Sequence, residues 1–495
     1  MNLERVRNEN ELYPDFTAEI DALDEGGITP YLLGKIINKH ALNSQFNRAL
    51  YKRYQALQDE VPIFTRVPRY KPDDDPDGST VINNKIANDF MGEIVDFKTG
   101  YFAGSPIGYS YSNTEESEDD TGGYDAVKAA RKALSDFVTA NNMFDVDMET
   151  TKYASIYGYA GRLFYHQDGV ERVMPVHGFE TIILSRTSIT EPQYGVRYYR
   201  TTDINDVEYW KAEFYDDTNI YYYEGATTDA LNLIKTERNL YGYCPLQGIP
   251  NNNEMIGDAE KVLTLIDAYD RTVSDSSNQI EGEVNSKTVY KNLNIDDDEI
   301  QKSNYTGAIK VMDPMGNGDV FRLNNSVNDS YTEHHLERLK NNIYRFSKTP
   351  NLSDETFGTA SGISLKFKIT GLETKCGMFE AKMISAGVYM FKLLARCYNA
   401  RGISFDPLQC VMEFKRNFPL DLLSEAQSAQ ALINAGLPEE VAYSAALSCI
   451  DDIDWVMQLK EKEQNSIPSL ERAVKEDYED EEKDETEDIN AAREF

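Results

Sequence analysis

The chain has 495 residues, and its 84 aspartates and glutamates outnumber its 50 lysines and arginines, so the formal net charge is −34. A hydrophobic fraction of 41% is enough to build packed cores and excludes a chain that is disordered throughout. The acidity disfavours a protein that grips nucleic acid by broad phosphate neutralisation, because such binding requires many lysines and arginines. Residues 467–495 are strongly acidic and are predicted to form a disordered tail.

The N-terminal sequence has no basic segment followed by an apolar stretch, and no window reaches the ~18 apolar residues that a membrane span needs. We therefore expect a soluble, intracellular chain without a membrane partner. The five cysteines are scattered and form no CxxC pair, which indicates neither a disulfide framework nor a zinc knuckle.

Helical periodicity dominates the first part of the chain. Thr29 and Pro30 are predicted to begin a helix, because a threonine N-cap followed by proline is a typical helix start. Apolar spacing predicts a further helix from Asn84 to Phe102. Two more predicted helices cover 124–141 and 146–159.

A β-rich region follows these helices. Asp168 and Gly169 are predicted to turn a hairpin, and alternating residues over 180–224 predict an antiparallel meander. Much of the tyrosine content lies in this meander. Tyrosine suits half-buried strands, so we interpret the region as a structural sheet and not as an aromatic binding platform.

The second half is predicted to contain two helices around a small β region. The first helix runs from Asn253 to about Glu281, short strand-like pieces occupy 286–324, and the second helix runs from Tyr331 to Phe346. Thr349 and Pro350 then end that helix.

A helix of ~40 residues is predicted next, from apolar residues that alternate by four and three. This heptad pattern could pack against copies of the same chain around a ring. Three internal glycines are predicted to kink the helix; they are Gly371, Gly377 and Gly387. A strand at 411–414 and helices at 421–435, 438–447 and 452–465 complete the predicted elements.

Motifs for catalysis and metal binding are weak. The chain has no GxxxxGK[ST] phosphate loop, and its five histidines lack a carboxylate or cysteine at a recognised catalytic spacing. Asp73 to Asp77 match the first half of a calcium loop, but Asn84 stands where that loop needs glutamate, so a solvated acidic loop is favoured. Ser361 is one place late for a GxSxG nucleophile and is predicted to cap the long helix.

Positive charge is concentrated in residues 331–402, which hold eleven lysines and arginines against six acids. Two interpretations stay open at this point. These bases are either the solvated faces of two helices or a basic helix-loop-helix element that meets phosphates in an otherwise repelling molecule.

Taken in order, the elements resemble the portal proteins, or head-to-tail connectors, of long-tailed bacteriophages that infect Gram-positive bacteria. Four stretches carry the resemblance, which covers roughly 25–465. They are Asn83–Ile107, Ala154–Ala160 with its hairpin, the helix, β module, helix and polar loop of 253–362, and the helix pair around Leu437–Val441.

The resemblance implies an α+β fold, a portal-type ring subunit with a mixed α/β wing, a two-helix stem, a small β-rich clip, a long kinked helix and a helical crown. The implied boundaries are: N-terminal segment 1–24, wing 25–252, stem helices 253–284 and 329–348, clip 285–328, tunnel loop 349–361, long wing/crown helix 362–402, crown 403–466 and acidic tail 467–495.

The resemblance also implies a function. Such proteins form a ring, a homododecamer in the capsid, at one vertex, and double-stranded DNA passes through the ring during packaging and ejection. The implied partners are copies of the chain, double-stranded DNA, the terminase large subunit, the head-tail adaptor, and the major capsid and scaffolding proteins. The implied location is the virion, after assembly in the host cytoplasm, and neither enzymatic activity nor a cofactor is expected.

Residues near the channel follow from the same resemblance. The tunnel-loop candidates are Lys348, Asn351, Ser353, Asp354, Thr356, Phe357, Thr359 and Lys366. Most are short or polar groups suited to transient, sequence-independent contact with the DNA backbone. We expect Phe357 to pack the loop against a neighbouring loop or helix. The stem candidates are Arg338, Lys340 and Arg345.

Two other classes of protein are kept as alternatives. Another virion structural protein, such as a capsid or tail component, would lack the two helices that bracket a compact β module. A DNA-processing enzyme would need a clustered carboxylate metal site. In a channel, the −34 charge would favour rapid sliding of DNA, because each neutralised phosphate adds an attractive contact.

Overall fold

The computed structural model describes residues 14–68, 82–112, 121–284, 288–291, 318–322, 329–351, 362–417 and 422–446. Within these ranges two compact units are present. One is drawn from residues 1–359 and 367–417, and the other from 360–366 and 418–495.

The fold is α+β, as predicted. The α-helices are α1 Thr17–Gly26, α2 Pro30–Tyr54, α3 Phe90–Ala103, α4 Thr121–Ala140, α5 Met143–Tyr157, α6 Leu263–Val284, α7 Asp329–Ser347, α8 Gly362–Ala400, α9 Leu422–Asn434 and α10 Glu439–Ala446. Short 3-10 helices lie at Gly178–Glu180, Glu260–Val262 and Pro407–Gln409. Within the described ranges no helix combines the length and the apolar character that crossing a membrane requires.

Among the described residues, the strands form four antiparallel sheets. They are β1 Gly108–Tyr111, β2 Tyr159–Gln167, β3 Val170–Val176, β4 Thr181–Leu184, β5 Tyr194–Thr202, β6 Glu208–Tyr215, β7 Asn219–Gly225, β8 Asn232–Arg238, β9 Leu246–Pro250, β10 Thr288–Lys291, β11 Asp319–Arg322 and β12 Cys410–Glu413. The sheet orders are β3-β2-β9, β4-β5-β6-β7-β8, β1-β12 and β10-β11.

The predicted hairpin and meander are both present. Gln167 pairs with Val170 across the turn, where Asp168 and Gly169 have φ values of 53° and 78°, as a type I′ turn requires. The meander has one strand more than predicted, because β8 continues it to Arg238. The alternation that predicts a strand is weak in β8, since nearly all its side chains are exposed at the sheet edge.

The start of α2 is as predicted, because the Thr29 hydroxyl accepts a hydrogen bond from the Leu32 amide at 3.2 Å. Buried residues of α2, including Leu33 and Ile36, pack on one face of the five-stranded sheet, against Val196 and Phe214 among others. This layer of helices on a sheet forms one of the cores of the larger unit.

The predicted helix from Asn84 is wrong over its first six residues, which are extended along α6. The amides of Asn84, Ile86 and Asn88 donate to the side chains of Asn278, Ser274 and Asp270, at 2.7, 3.0 and 2.9 Å. Two extended residues span ~6.6 Å and one turn of four helical residues spans ~6.0 Å, so every second amide meets the next turn of α6. These tertiary hydrogen bonds outweigh the helical spacing, and α3 begins only at Phe90, capped by Asp89.

The predicted helix from Asn253 also begins too early, since α6 starts at Leu263. Side-chain hydrogen bonds turn the preceding backbone instead. The Asn252 side-chain oxygen Oδ1 accepts from the Ile256 backbone amide at 3.0 Å, and the Asn251 side-chain nitrogen Nδ2 donates to the Ile256 backbone carbonyl at 2.9 Å.

Helix α8 is continuous over 39 residues, as its heptad spacing predicts. Its heptad stripe is buried within the same chain, so it is not free to pack against copies, and that expectation is wrong. The buried positions include Leu372, Cys376, Phe379, Met383, Ala386, Met390, Leu393 and Cys397. Gly387 lets β12 approach closely, because a Cβ there would lie 2.1 Å from the Met412 sulfur. The kinks at the three glycines stay a prediction.

The C-terminal elements agree with the sequence as far as they are described. The predicted strand at 411–414 corresponds to β12, which pairs with β1, and the predicted helices at 421–435 and 438–447 correspond to α9 and α10. Several predicted features lie outside the described residues. They are the helix at 452–465, the acidic tail, the Asp73 to Asp77 loop, most of 285–328, and Ser361.

Candidate functional site

The candidate site residues are only partly within the described chain. Arg338, Lys340 and Arg345 lie on α7, and Lys348 and Asn351 follow its end. Five candidates lie outside the described residues; they are Ser353, Asp354, Thr356, Phe357 and Thr359. The backbone of Lys366 belongs to α8, and its side chain lies outside the described part of the chain.

Helix α7 is polar and has opposite charges in its two halves. Its acids, Asp329, Glu333 and Glu337, precede its bases, which are Arg338, Lys340 and Arg345. This order stabilises the helix, because the charges interact favourably with the helix dipole. It also places positive charge toward the end where residues 349–361 begin. Arg338 and Arg345 are seven residues apart, on one face, and both are exposed, whereas Lys340 is half-buried.

The opposite face of α7 packs on α6 and α3 in one apolar cluster. Ile343 and Tyr344 of α7 meet Ile266 of α6 and Phe90 of α3, among others. The Tyr344 hydroxyl also donates to the Glu93 carboxylate at 2.8 Å. The two predicted stem helices are therefore packed together within one chain.

The end of α7 is a Schellman motif with a lysine in the left-handed position. The Thr349 amide donates to the Tyr344 carbonyl at 3.1 Å, and the Lys348 amide donates to the Arg345 carbonyl at 3.4 Å. Lys348 has a φ of 58°, which costs an L-residue about 1 kcal/mol or more relative to glycine. Pro350 then prevents the helix from continuing.

A buried ion-pair cluster holds this helix end against the rest of the chain. The Asp258 carboxylate accepts from Lys98 at 2.8 Å and contacts Lys375 at 2.9 Å. The Ser155 hydroxyl donates to the same carboxylate at 2.7 Å. Lys375 also donates to the Ser347 carbonyl at 2.8 Å, so α3, α5, α7 and α8 meet around one aspartate.

Burial makes this cluster electrostatically strong. The side chains of Lys98, Asp258 and Lys375 are only 1%, 5% and 11% exposed. Burial alone raises the pKa of the Asp258 carboxyl, but the two ammonium groups outweigh it and hold that pKa well below its usual range. Burial lowers the pKa of Lys98, and the nearby Asp258 charge opposes that shift.

The cluster makes stability depend on pH in a defined direction. Because folding depresses the pKa of Asp258 below its ordinary 3.8, its stabilisation is complete above that value and is lost as the pH falls through the folded-state pKa. We expect the difference in unfolding free energy between wild type and Asp258→Asn to be constant near pH 6–8 and to shrink below about pH 4. Denaturant titrations at several pH values measure it, and a difference that grows on acidification would contradict the assignment.

The basic region of 331–402 is more strongly paired within the chain than either sequence interpretation assumes. Lys375 belongs to the buried cluster, Lys382 donates to Asn253, Lys392 pairs with Glu191 at 3.1 Å, and Arg401 pairs with Glu171. Among the side chains that the structure describes, at least four of its eleven bases therefore serve internal contacts. Exposed positive charge at the end of α7 comes from Arg345 and Lys348.

Sequence reasoning missed the role of the cluster around Asp258. A weak signal exists, since Lys98 lies four residues after buried Ile94 on the apolar side of α3. A lysine on that side needs a carboxylate partner. Nothing in the local sequence identifies Asp258, which is 160 residues away.

Two findings from known proteins bear on this arrangement. A family model described as "Phage portal protein, SPP1 Gp6-like" matches residues 33–482. The chain belongs to this family of phage portal proteins. The match covers the packed helices α6 and α7, the cluster around Asp258 and the long helix α8.

Two curated portal proteins are similar to this chain. The portal protein of Bacillus phage SPP1 is 26% identical over 333 residues, which cover 63% of this chain and 62% of that protein. The portal protein of Clostridium phage phiCD119 is 24% identical over 352 residues, which cover 66% of this chain and 76% of that protein. The predicted family, portal proteins of phages of Gram-positive bacteria, is confirmed.

Proposed function

We propose that this portal chain assembles with copies of itself into a ring-shaped channel at one capsid vertex, through which double-stranded DNA is packaged and ejected. The observation that carries the proposal is the family match over 33–482, which includes every candidate channel residue. The ring is a dodecamer in the capsid under this proposal, and the chain has no enzymatic activity of its own.

The proposed division of labour follows the sequence boundaries. Residues 25–252 form the wing, α6 and α7 the stem, and 285–328 the clip that docks the terminase large subunit and later the head-tail adaptor. Residues 349–361 form the tunnel loop, 362–402 the long helix, and 403–466 the crown. Residues 410–413, which begin the proposed crown region, form β12 and pair with β1 of the proposed wing.

The helix end at Lys348 supports a DNA-facing tunnel loop. A lysine in the left-handed position is less stable there than glycine, and such outliers persist where the side chain has a use. Lys348 is exposed and immediately precedes the proposed loop. Its ammonium group can make brief contacts with DNA phosphates, while the acidic remainder of the chain prevents tight binding of the DNA.

Imaging of the purified full chain tests the ring. We expect annular particles with a central hole in negative stain, and a mass by light scattering that is an integral multiple of the chain mass. A monomer, or particles without a hole at every concentration tested, would overturn the proposed channel and favour another virion structural role.

A charge reversal at Lys348 tests the DNA-facing loop. We expect Lys348→Glu to reduce DNA packaging several-fold and to leave ring assembly intact, because it replaces a phosphate attraction with a repulsion. Lys235→Glu is the matched control, since Lys235 is an exposed lysine on the edge strand β8. Packaged DNA per particle is the measurement. Equal packaging by both variants would refute a DNA-facing role for Lys348 without affecting the ring.

A further inference from the structure

Three side chains with metal-binding chemistry meet where the β2–β3 hairpin contacts the last turn of α8. They are His166, Glu171 and Cys397, and one ligand atom of each lies within 4.8 Å of the others. His166 Nε2 is 3.7 Å from Glu171 Oε1 and 3.7 Å from Cys397 Sγ. The proposed portal function makes no use of this cluster.

The fold holds these groups together before any ligand binds. His166 and Glu171 are directly opposite each other across the hairpin, and the tight turn between them fixes the register. The His166 ring packs against the Tyr241 ring, with centroids 4.5 Å apart. Glu171 and Cys397 are buried, so their rotamers are restricted by packing.

We propose that His166, Glu171 and Cys397 bind a zinc ion. Imidazole nitrogen, thiolate sulfur and carboxylate oxygen are the donors that zinc takes, whereas calcium and magnesium prefer oxygen donors alone. In a tetrahedral zinc site the ligand atoms are roughly 3.3–3.6 Å apart, given bonds of ~2.0–2.3 Å. Both 3.7 Å separations from His166 Nε2 are within about half an ångström of these values.

The surroundings of the three ligands are compatible with a cation. Arg401 contacts both oxygens of the Glu171 carboxylate: Nη1 donates to Oε2 at 3.2 Å, and Nη2 lies 2.5 Å from Oε1, the oxygen that is 3.7 Å from His166 Nε2. Carboxylates that bind metals are usually hydrogen-bonded in turn, and Arg401 is the outer partner that would hold Glu171 in this way. The His166 side chain is partly exposed, so water can complete the fourth position.

Binding requires the Cys397 thiol to lose its proton to solvent as the Zn–S bond forms. Burial, followed by the Glu171 charge, raises the pKa of this thiol to about 12 without metal. Direct zinc coordination supplies the opposing effect, because it deprotonates a thiol outright. The bound ion would join the β2–β3 hairpin to α8 and stabilise the contact between them.

Metal content of the full chain tests the site directly. The chain is expressed with zinc, dialysed against metal-free buffer and analysed by mass spectrometry of the elements, with about one zinc per chain expected from a single site. Cys397→Ser and His166→Gln should each reduce zinc retention at least 10-fold, because each removes a ligand. Cys410→Ser is the control, since Cys410 is a free thiol outside the cluster.

Cobalt gives a second readout that does not depend on variants. Co²⁺ added to the wild-type chain should produce a thiolate-to-cobalt absorption band in the near ultraviolet, and added Zn²⁺ should remove the band. Zinc at the level of the buffer blank together with no cobalt band would overturn the proposal. Zinc retained in full by Cys397→Ser and His166→Gln would also overturn it, because the metal would then be bound elsewhere.

Discussion

Replacing Asp258 with asparagine is expected to lower the free energy of unfolding by ~3–5 kcal/mol, because it removes one partner of a buried ion pair. Asparagine keeps the shape of the side chain and its contact with Ser155 but loses the charge. Lys98, which is 1% exposed, would then be buried without a carboxylate, and Lys375 would lose the same partner. The penalty comes from these unpaired ammonium groups.

Asp136→Asn is the matched control for this change. Asp136 pairs with Lys132 at 2.7 Å, four residues away on α4, and both side chains are more than 60% exposed. An exposed pair of this kind contributes only ~0.3–0.5 kcal/mol. Denaturant or thermal unfolding of both variants gives the comparison. Equal midpoints for the two variants would show that the cluster around Asp258 is not a main source of stability.

The Asp258→Asn substitution should also affect the helix end from which the proposed tunnel loop departs. Lys375 holds the Ser347 carbonyl at the end of α7 as well as the Asp258 carboxylate. Without Asp258, the position of Lys375 is less constrained, and so is the residue from which the loop departs. Hydrogen exchange at the Thr349 amide should therefore increase in Asp258→Asn, because its bond to Tyr344 closes the same helix end.

Most of the fold could be predicted from local signals. The hairpin at Asp168 and Gly169, the N-cap at Thr29 and the heptads of α8 each depend on residues close together in the chain. These signals identify an element even when its neighbours are unknown. They also indicate the family, because the order and spacing of the elements together are more specific than any single motif.

The errors arise where distant residues decide the local structure. Residues 84–89 have helical spacing, yet their amides bind side chains of α6 that follow about 190 residues later. Periodicity alone does not say what covers an apolar face, so the heptad stripe of α8 predicts contacts with other copies although its own chain covers it. The cluster at Asp258 escapes sequence reasoning for the same reason, since its members come from five separate segments.

Gly158→Ala is expected to lower the free energy of unfolding by ~2–5 kcal/mol, the sum of backbone strain and a steric clash. Gly158 ends α5 with a φ of 95°, a backbone conformation that residues with a side chain rarely adopt. A Cβ there would also lie 1.9 Å from the Met255 carbonyl oxygen. That oxygen belongs to backbone, so the 255–258 segment must move to admit the methyl group.

Gly169→Ala separates the two contributions. Gly169 also has a positive φ, 78°, but a Cβ there would meet nothing within 4 Å. Strain alone should then cost about 1–2 kcal/mol. If the two variants unfold at the same denaturant concentration, the close approach at Gly158 has no energetic cost. If Gly158→Ala is the less stable variant, the extra loss of unfolding free energy measures how firmly α5 holds the segment that carries Asp258. The two are connected because the Asp258 amide donates to the Ser155 carbonyl, one turn before Gly158.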